Sequence, residues 1–144
     1  MAKTTQHEER ILARKNALQI MYQADLLGVS ARTLLDEQRL VPETQGLDDY
    51  AVMLLVGCID NESAIDERIV AASENWTIDR MPIVDRSLLR LATYEMAYVD
   101  EVPISVSINE AVNLAKEFGG EDSPRFVNGI LGRIATQLES ETAE

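Results

Sequence analysis

Two short stretches of this 144-residue chain carry the side chains best suited to chemistry. In "RILARKNALQIMY" (10–22), Arg10 and Arg14 stand one helical turn apart, and Lys15 lies two turns from Tyr22. Cations that track phosphates beside a ring that can stack a base are the minimum equipment for holding single-stranded nucleic acid. The same residues also fit an ordinary solvated helix start, with Tyr22 a core residue that keeps only its hydroxyl at the edge. In "EFGGEDSPRFVNGILGRI" (117–134), Arg125 and Phe126 follow a double glycine, an acidic pair and a proline. A helix N-terminus with free N–H groups suits an anion, and Arg125 and Arg133 add positive charge near the ring. Glu121 and Asp122 would repel phosphate there, so this stretch offers stacking more readily than phosphate capture.

Catalysis has little to work with. The single histidine, His7, lies near the N-terminus, so no histidine dyad or two-histidine metal site can be assembled. Phosphate-cradling glycine motifs and paired-cysteine ligand sets are missing, and no cofactor is implied. Cys58 falls mid-stripe among apolar residues and reads as an inert core thiol. Glu95 also interrupts an apolar stripe, and a carboxylate there has to be hydrogen-bonded or protonated. A structural acceptor for the free N–H groups of a nearby helix start is preferred over a catalytic acid. The remaining carboxylates solvate helix faces, and the chain reads as a binding protein, not an enzyme.

The elements that position these groups are helical throughout. The composition, 46% hydrophobic with seven glycines and four prolines, suits a mostly helical globular domain large enough to fold without disulfides. No apolar run is long enough to span a membrane and no signal peptide is visible, so a reducing cytoplasm is expected. The net charge of -12 argues against nucleic acid at first sight, but its distribution is uneven. Residues 36–74 hold ten acids and two bases, whereas residues 1–16 hold Lys3, Arg10, Arg14 and Lys15 against Glu8 and Glu9. An acidic midsection and a basic end suggest two surfaces with different partners.

Periodicity predicts a first helix over Glu8 to Leu27, stopped by Gly28, with Ala13, Ala17, Ile20, Ala24 and Leu27 as one stripe. A short helix follows over Ala31 to Leu40, ending before Pro42. A long one over Leu47 to Ala72 buries Ala51, Leu54, Leu55, Cys58, Ile65, Ile69 and Ala72. Thr77 is a candidate cap for a short turn, and Pro82 opens a helix to about Val99 from its first turn. The next runs from Ser105 or Ser107 to Phe118, with Phe118 on its core face and Glu110 on its wet one, and ends at a left-handed Gly119. The last, Pro124 to Leu138, is capped by Asp122 or Ser123 and buries Val127, Ile130, Leu131, Ile134 and Leu138, leaving Phe126 at the stripe's boundary. The ends, 1–7 and 139–144, are expected to fray.

The succession "RKNALQIMYQADL" (14–26) and "VDRSLLRLATYEMAYVDEVPISVSINEAVNLAKEFGGEDSPRFVNGILGRI" (84–134) resembles the bacterial transcription antitermination factors of the NusB family. The likeness runs from about Arg10 to Ile134 and is most specific in "INEAVNLAKEFG" and "RFVNGIL". It implies an all-helical fold of about six to seven helices in two small packed bundles, about 8–75 and 76–138. It also implies a non-enzymatic role: binding boxA RNA jointly with the ribosomal protein NusE, in a complex with NusA, NusG and RNA polymerase that supports transcription of ribosomal RNA operons. Carried over by position, the implied RNA contacts are Arg10, Arg14, Lys15, Tyr22, Asp122, Arg125 and Phe126. The implied partner-binding residues are Asp85, Leu89 and Arg90. Some members of the family form homodimers. Where others carry a dense arginine run this chain has "HEERILARKN", which favours dependence on the partner for RNA binding. The alternative is a helical adaptor that binds protein only.

Overall fold

The computed structural model describes residues 5–36, 47–74 and 76–142. Among them the chain forms α1 (Gln6–Leu27), α2 (Ala31–Asp36), α3 (Asp49–Asp60), α4 (Glu62–Ser73), α5 (Ile83–Tyr98), α6 (Ile104–Phe118) and α7 (Ser123–Thr142), with one 3-10 turn at Ile78–Arg80. The first helix begins two residues earlier than its apolar stripe implies because Thr5 and Glu8 form a capping box. The Glu8 N–H donates to Thr5 Oγ1 (3.1 Å) and the Thr5 N–H to Glu8 Oε2 (3.2 Å), so two otherwise unpaired donors are satisfied reciprocally. Gly28, at φ 73°, closes the helix in the left-handed conformation that a side chain would strain.

The segment read as one helix over 47–72 is two. Asn61 ends α3 and starts α4, its Nδ2 donating to the Gly57 carbonyl at 2.8 Å, and its backbone leaves the helical region at φ -119°, ψ 21°. A short amide side chain that competes for a backbone carbonyl is a known helix breaker. Gly57 is required for packing: a Cβ there would lie 2.0 Å from the Tyr94 ring, so α3 and α5 could not approach.

Every other long helix meets α5, which packs against α1, α3, α4, α6 and α7. Its Leu88, Leu89, Leu91, Ala92 and Met96 join residues of α1, α3, α4, α6 and α7 in one buried cluster. Each such leucine contributes about 1.5–3 kcal/mol by leaving water. Glu95 is buried among them at 2% exposure, but its partners are not helix-start N–H groups. Arg14 Nε donates to both carboxylate oxygens (3.1 and 3.0 Å), and the Tyr50 hydroxyl donates to Oε2. Burial, the bond to Glu95 and its charge all raise the Tyr50 pKa, keeping that hydroxyl a donor.

Other expectations need correction. Leu27 and Phe118 are exposed rather than core, because each ends its helix where the stripe runs past its neighbours. Glu110, placed on the wet face, is buried at 7% beside α1, with His7 Nε2 at 4.0 Å. Leu138 is only half-buried. Gly119 is extended (φ -91°, ψ -179°), not left-handed; its lack of a side chain serves a close approach, since a Cβ would fall 2.6 Å from Ser123 Cβ. Pro82 caps α5 from just outside rather than from its first turn, and Thr77 gives no side-chain cap. Residues 139–142 are helical, held by paired bonds from Arg68 to Glu141 (2.6 and 2.7 Å), and Gln6 and His7 are helical too. The described part of the second helix ends at Asp36; the expected stretch to Leu40 and Pro42 lies outside the described residues.

Candidate nucleic-acid interface

On α1 the predicted cations all meet carboxylates. Arg10 Nη2 donates to Glu101 Oε1 at 2.8 Å, and its guanidinium lies 4.7 Å from the centre of the Tyr50 ring. Lys15 Nζ donates to Glu117 Oε1 at 3.1 Å and stands 5.4 Å from the Phe118 ring centre. In both pairs the carboxylate is exposed and the cation only partly so, and such surface pairs are weak, roughly 0–1 kcal/mol each, so an incoming phosphate can displace either carboxylate. Arg14 differs in kind. It is buried at 7% and locked on Glu95, so it orders the interior and presents no charge to a ligand. That corrects its assignment as an RNA contact: Arg10 and Arg14 share the α1 face that meets the Tyr50 ring, but Arg14, one turn further along, reaches the buried Glu95 of α5.

Beyond its polar first turn, the large side chains that α1 exposes are apolar or aromatic. Tyr22 is 39% exposed and lines an open groove of about 530 Å³ with Leu18, Leu26, Val84 and Phe118. Phe118 was missed by periodicity because it continues the core stripe of α6 by one turn, yet it emerges at the helix end beside Lys15.

The α7 end is built differently. Ser123 opens the helix, its Oγ accepting from the Gly120 N–H at 3.0 Å, while the Asp122 carbonyl accepts from the Phe126 N–H, also at 3.0 Å. Among the described residues the Asp122 carboxylate takes no hydrogen bond, so it is an exposed acid and not a side-chain cap. Phe126 is half-buried, packed at the edge of the core, and meets the Trp76 ring edge-on at 6.2 Å with 76° between planes. Trp76 itself is 51% exposed. Arg125 points to solvent and makes no ion pair among the described residues. Arg133 donates to the Ala72 carbonyl at 2.8 Å and has only a distant acid, Glu74, at 3.9 Å. The sequence placed Phe126 at the stripe's boundary and Arg125 further out, and the structure has the one half-buried and the other exposed; Trp76, fifty positions earlier, had no periodic signal to connect it.

The residues assigned to partner binding do not form a surface. Leu89 has no exposed area and Asp85 only 3%, with burial raising the Asp85 pKa against the opposing hydrogen bond from Ser123. Arg90 is half-buried and forked onto Asp66 at 2.9 and 3.1 Å. These three positions connect α5 to its neighbours, because the α5 stripe is apolar and buried on more than one side. Cys58 donates weakly to the Arg90 carbonyl at 3.5 Å, and burial pushes its thiol pKa up, as an inert core thiol requires. Among the described residues no group of three or more His, Cys, Asp or Glu could hold a metal, and no helix is long and apolar enough to cross a membrane.

Rings and cations lie on the outside of a core built by the seven helices of the described residues, the outline of an all-helical protein without strands among them. A profile of the NusB family matches residues 12–136. The transcription antitermination protein NusB of Saccharopolyspora erythraea is 48% identical over 124 residues, covering 85% of this chain and 84% of the relative. The solved structure of T. maritima NusB superposes with a TM-score of 0.79 at 35% identity, covering 94% of each chain. A chain in a crystal structure of the antitermination factors NusB and NusE in complex with dsRNA matches with a TM-score of 0.73 at 26% identity, covering 90% of this chain and 97% of that one. The chain belongs to the NusB family, a family of transcription antitermination proteins.

Proposed function

We propose that this protein is a transcription antitermination factor that binds boxA RNA together with NusE, without enzymatic activity, and so supports transcription of ribosomal RNA operons. The observation that carries the reading is the half-buried Phe126 ring with the exposed Arg125, unpaired among the described residues, beside it, on a chain whose structural relative is held with NusE and RNA. Stacking on exposed rings and neutralisation of phosphates by cations are the two terms that hold a single strand. Arg10 and Lys15 contribute after exchanging Glu101 and Glu117 for phosphate, Tyr22 contributes a ring, and Asp122 stands where it can select or repel. Arg14 acts by positioning α1 on α5. NusE then supplies charge that a chain of net -12 lacks. NusA, NusG and RNA polymerase complete the assembly, which places the protein in the cytoplasm. A homodimer that covers this face before NusE arrives is the corresponding resting state.

A protein-only adaptor is the second reading, favoured by the carboxylates that already occupy Arg10 and Lys15. Titrating labelled boxA-like RNA with and without NusE at two salt concentrations separates the two. The leading reading predicts tighter binding with NusE and an affinity that falls with salt at a slope of about -0.7 per phosphate neutralised on a single strand. Equal affinity for scrambled RNA, or no salt dependence, would decide for the adaptor.

A further inference from the structure

The groove between the α4–α5 corner and α7 has the parts of a nucleotide pocket that Phe126 alone does not provide. Its volume is about 380 Å³, enough for an unpaired base and its sugar, and Trp76 forms one wall. The floor is Gly129, where an added Cβ would touch nothing within 4 Å, so the helix surface is bare. Arg125 and Arg133 lie eight residues apart on the same side of α7, at the two ends of that floor. The backbone at the end of α4, two residues before Trp76, is uncommon. Glu74 is the only non-glycine residue with positive φ among the described residues (φ 62°, ψ -78°), and Ser73 Oγ donates to the Trp76 carbonyl at 2.7 Å. A residue in that conformation costs energy and persists where the surrounding structure insists on it. Half of the tryptophan lies in water beside two guanidinium groups in an acidic protein, with Glu74 as the one acid among the residues that line the groove.

Resting on the RNA-binding reading above, we propose that Trp76, Gly129, Arg125 and Arg133 form a second stacking site, which takes one unpaired RNA nucleotide next to Phe126. The base lies on the indole over Gly129, and the flanking phosphates meet Arg125 and Arg133. Base stacking on aromatic rings is sequence-tolerant, so this site adds affinity rather than sequence choice.

Trp76 is the sole tryptophan, so 5-fluorotryptophan incorporated into the full chain gives one fluorine resonance that reports this pocket even in the presence of unlabelled NusE. BoxA-like RNA is added to the preformed complex with NusE, and binding is followed in parallel by anisotropy of end-labelled RNA. A saturable movement of the resonance with the same midpoint as the anisotropy is expected. Trp76→Ala should weaken binding roughly 5- to 100-fold. Gly129→Leu, which fills the groove and replaces a helix glycine by a better helix former, should weaken binding while the melting temperature holds or rises. A stationary resonance with RNA bound, or unchanged affinity in the Gly129 variant, overturns the second site and leaves the RNA reading intact. Movement on adding NusE alone, with none on adding RNA, also overturns it and makes the groove a protein contact. Absence of RNA binding by the complex overturns both.

Discussion

The α1 face and the α7 face both carry arginines and rings, yet they are electrostatically different places. On α1, Arg10, Arg14 and Lys15 are all held by carboxylates. On α7, Arg125 has none and Arg133 only a loose one. Among the described residues Arg80, Lys116 and Arg125 are the cations without an ion pair, and one of these three stands beside the ring pair. Counting bases along the sequence favours α1; counting unoccupied bases favours α7. Net charge says how many acids there are, whereas pairing says which cations remain for a phosphate.

Arg14→Ala leaves Glu95 buried without its ionic partner, and a broken buried pair costs about 3–5 kcal/mol. Denaturant unfolding should show that loss, and any loss of RNA binding should track unfolding. Tyr50→Phe removes one hydrogen bond to the same carboxylate and should cost about 1–3 kcal/mol by the same measurement. Phe126→Ala should weaken boxA-like RNA roughly 5- to 100-fold in the presence of NusE, with a smaller stability loss than Arg14→Ala because the ring is only half-buried. Glu117→Gln frees Lys15 from an exposed pair, so stability should move by less than about 1 kcal/mol. RNA affinity at low salt should rise slightly, turning the α1 face toward the behaviour of α7.

Much of the fold was legible in the chain. Gly28, Pro82 and the apolar stripes of α1, α3, α4, α5 and α7 mark their helices within a few residues, because capping and amphipathic periodicity are local signals. The break at Asn61 was not, since an asparagine in a continuing stripe declares itself only through the carbonyl it takes. Glu95 stood out as a buried acid, but its partner Arg14 is 81 residues away, and no spacing rule joins two helices that meet only in the folded core. For the same reason Arg14 looked like a surface cation, while Leu89, assigned to partner binding by the family resemblance, is buried in the core. At the candidate interface, Phe126 and Arg125 were legible as residues that folding leaves over. Trp76, Phe118 and the groove over Gly129 depend on how helix ends are juxtaposed, which periodicity does not encode.

That the unoccupied α7 cation contributes more to RNA binding than the α1 cations, which must first give up their carboxylates, is tested most directly by the salt dependence of boxA-like RNA binding to the NusE complex for Arg125→Ala and Arg10→Ala side by side. Loss of an unoccupied cation should lower the slope by about 0.7, the value for one phosphate contact on a single strand. Loss of Arg10, already neutralised by Glu101, should change it less. A full-sized reduction in the Arg10 variant with the Arg125 variant indistinguishable from the parent would contradict the account.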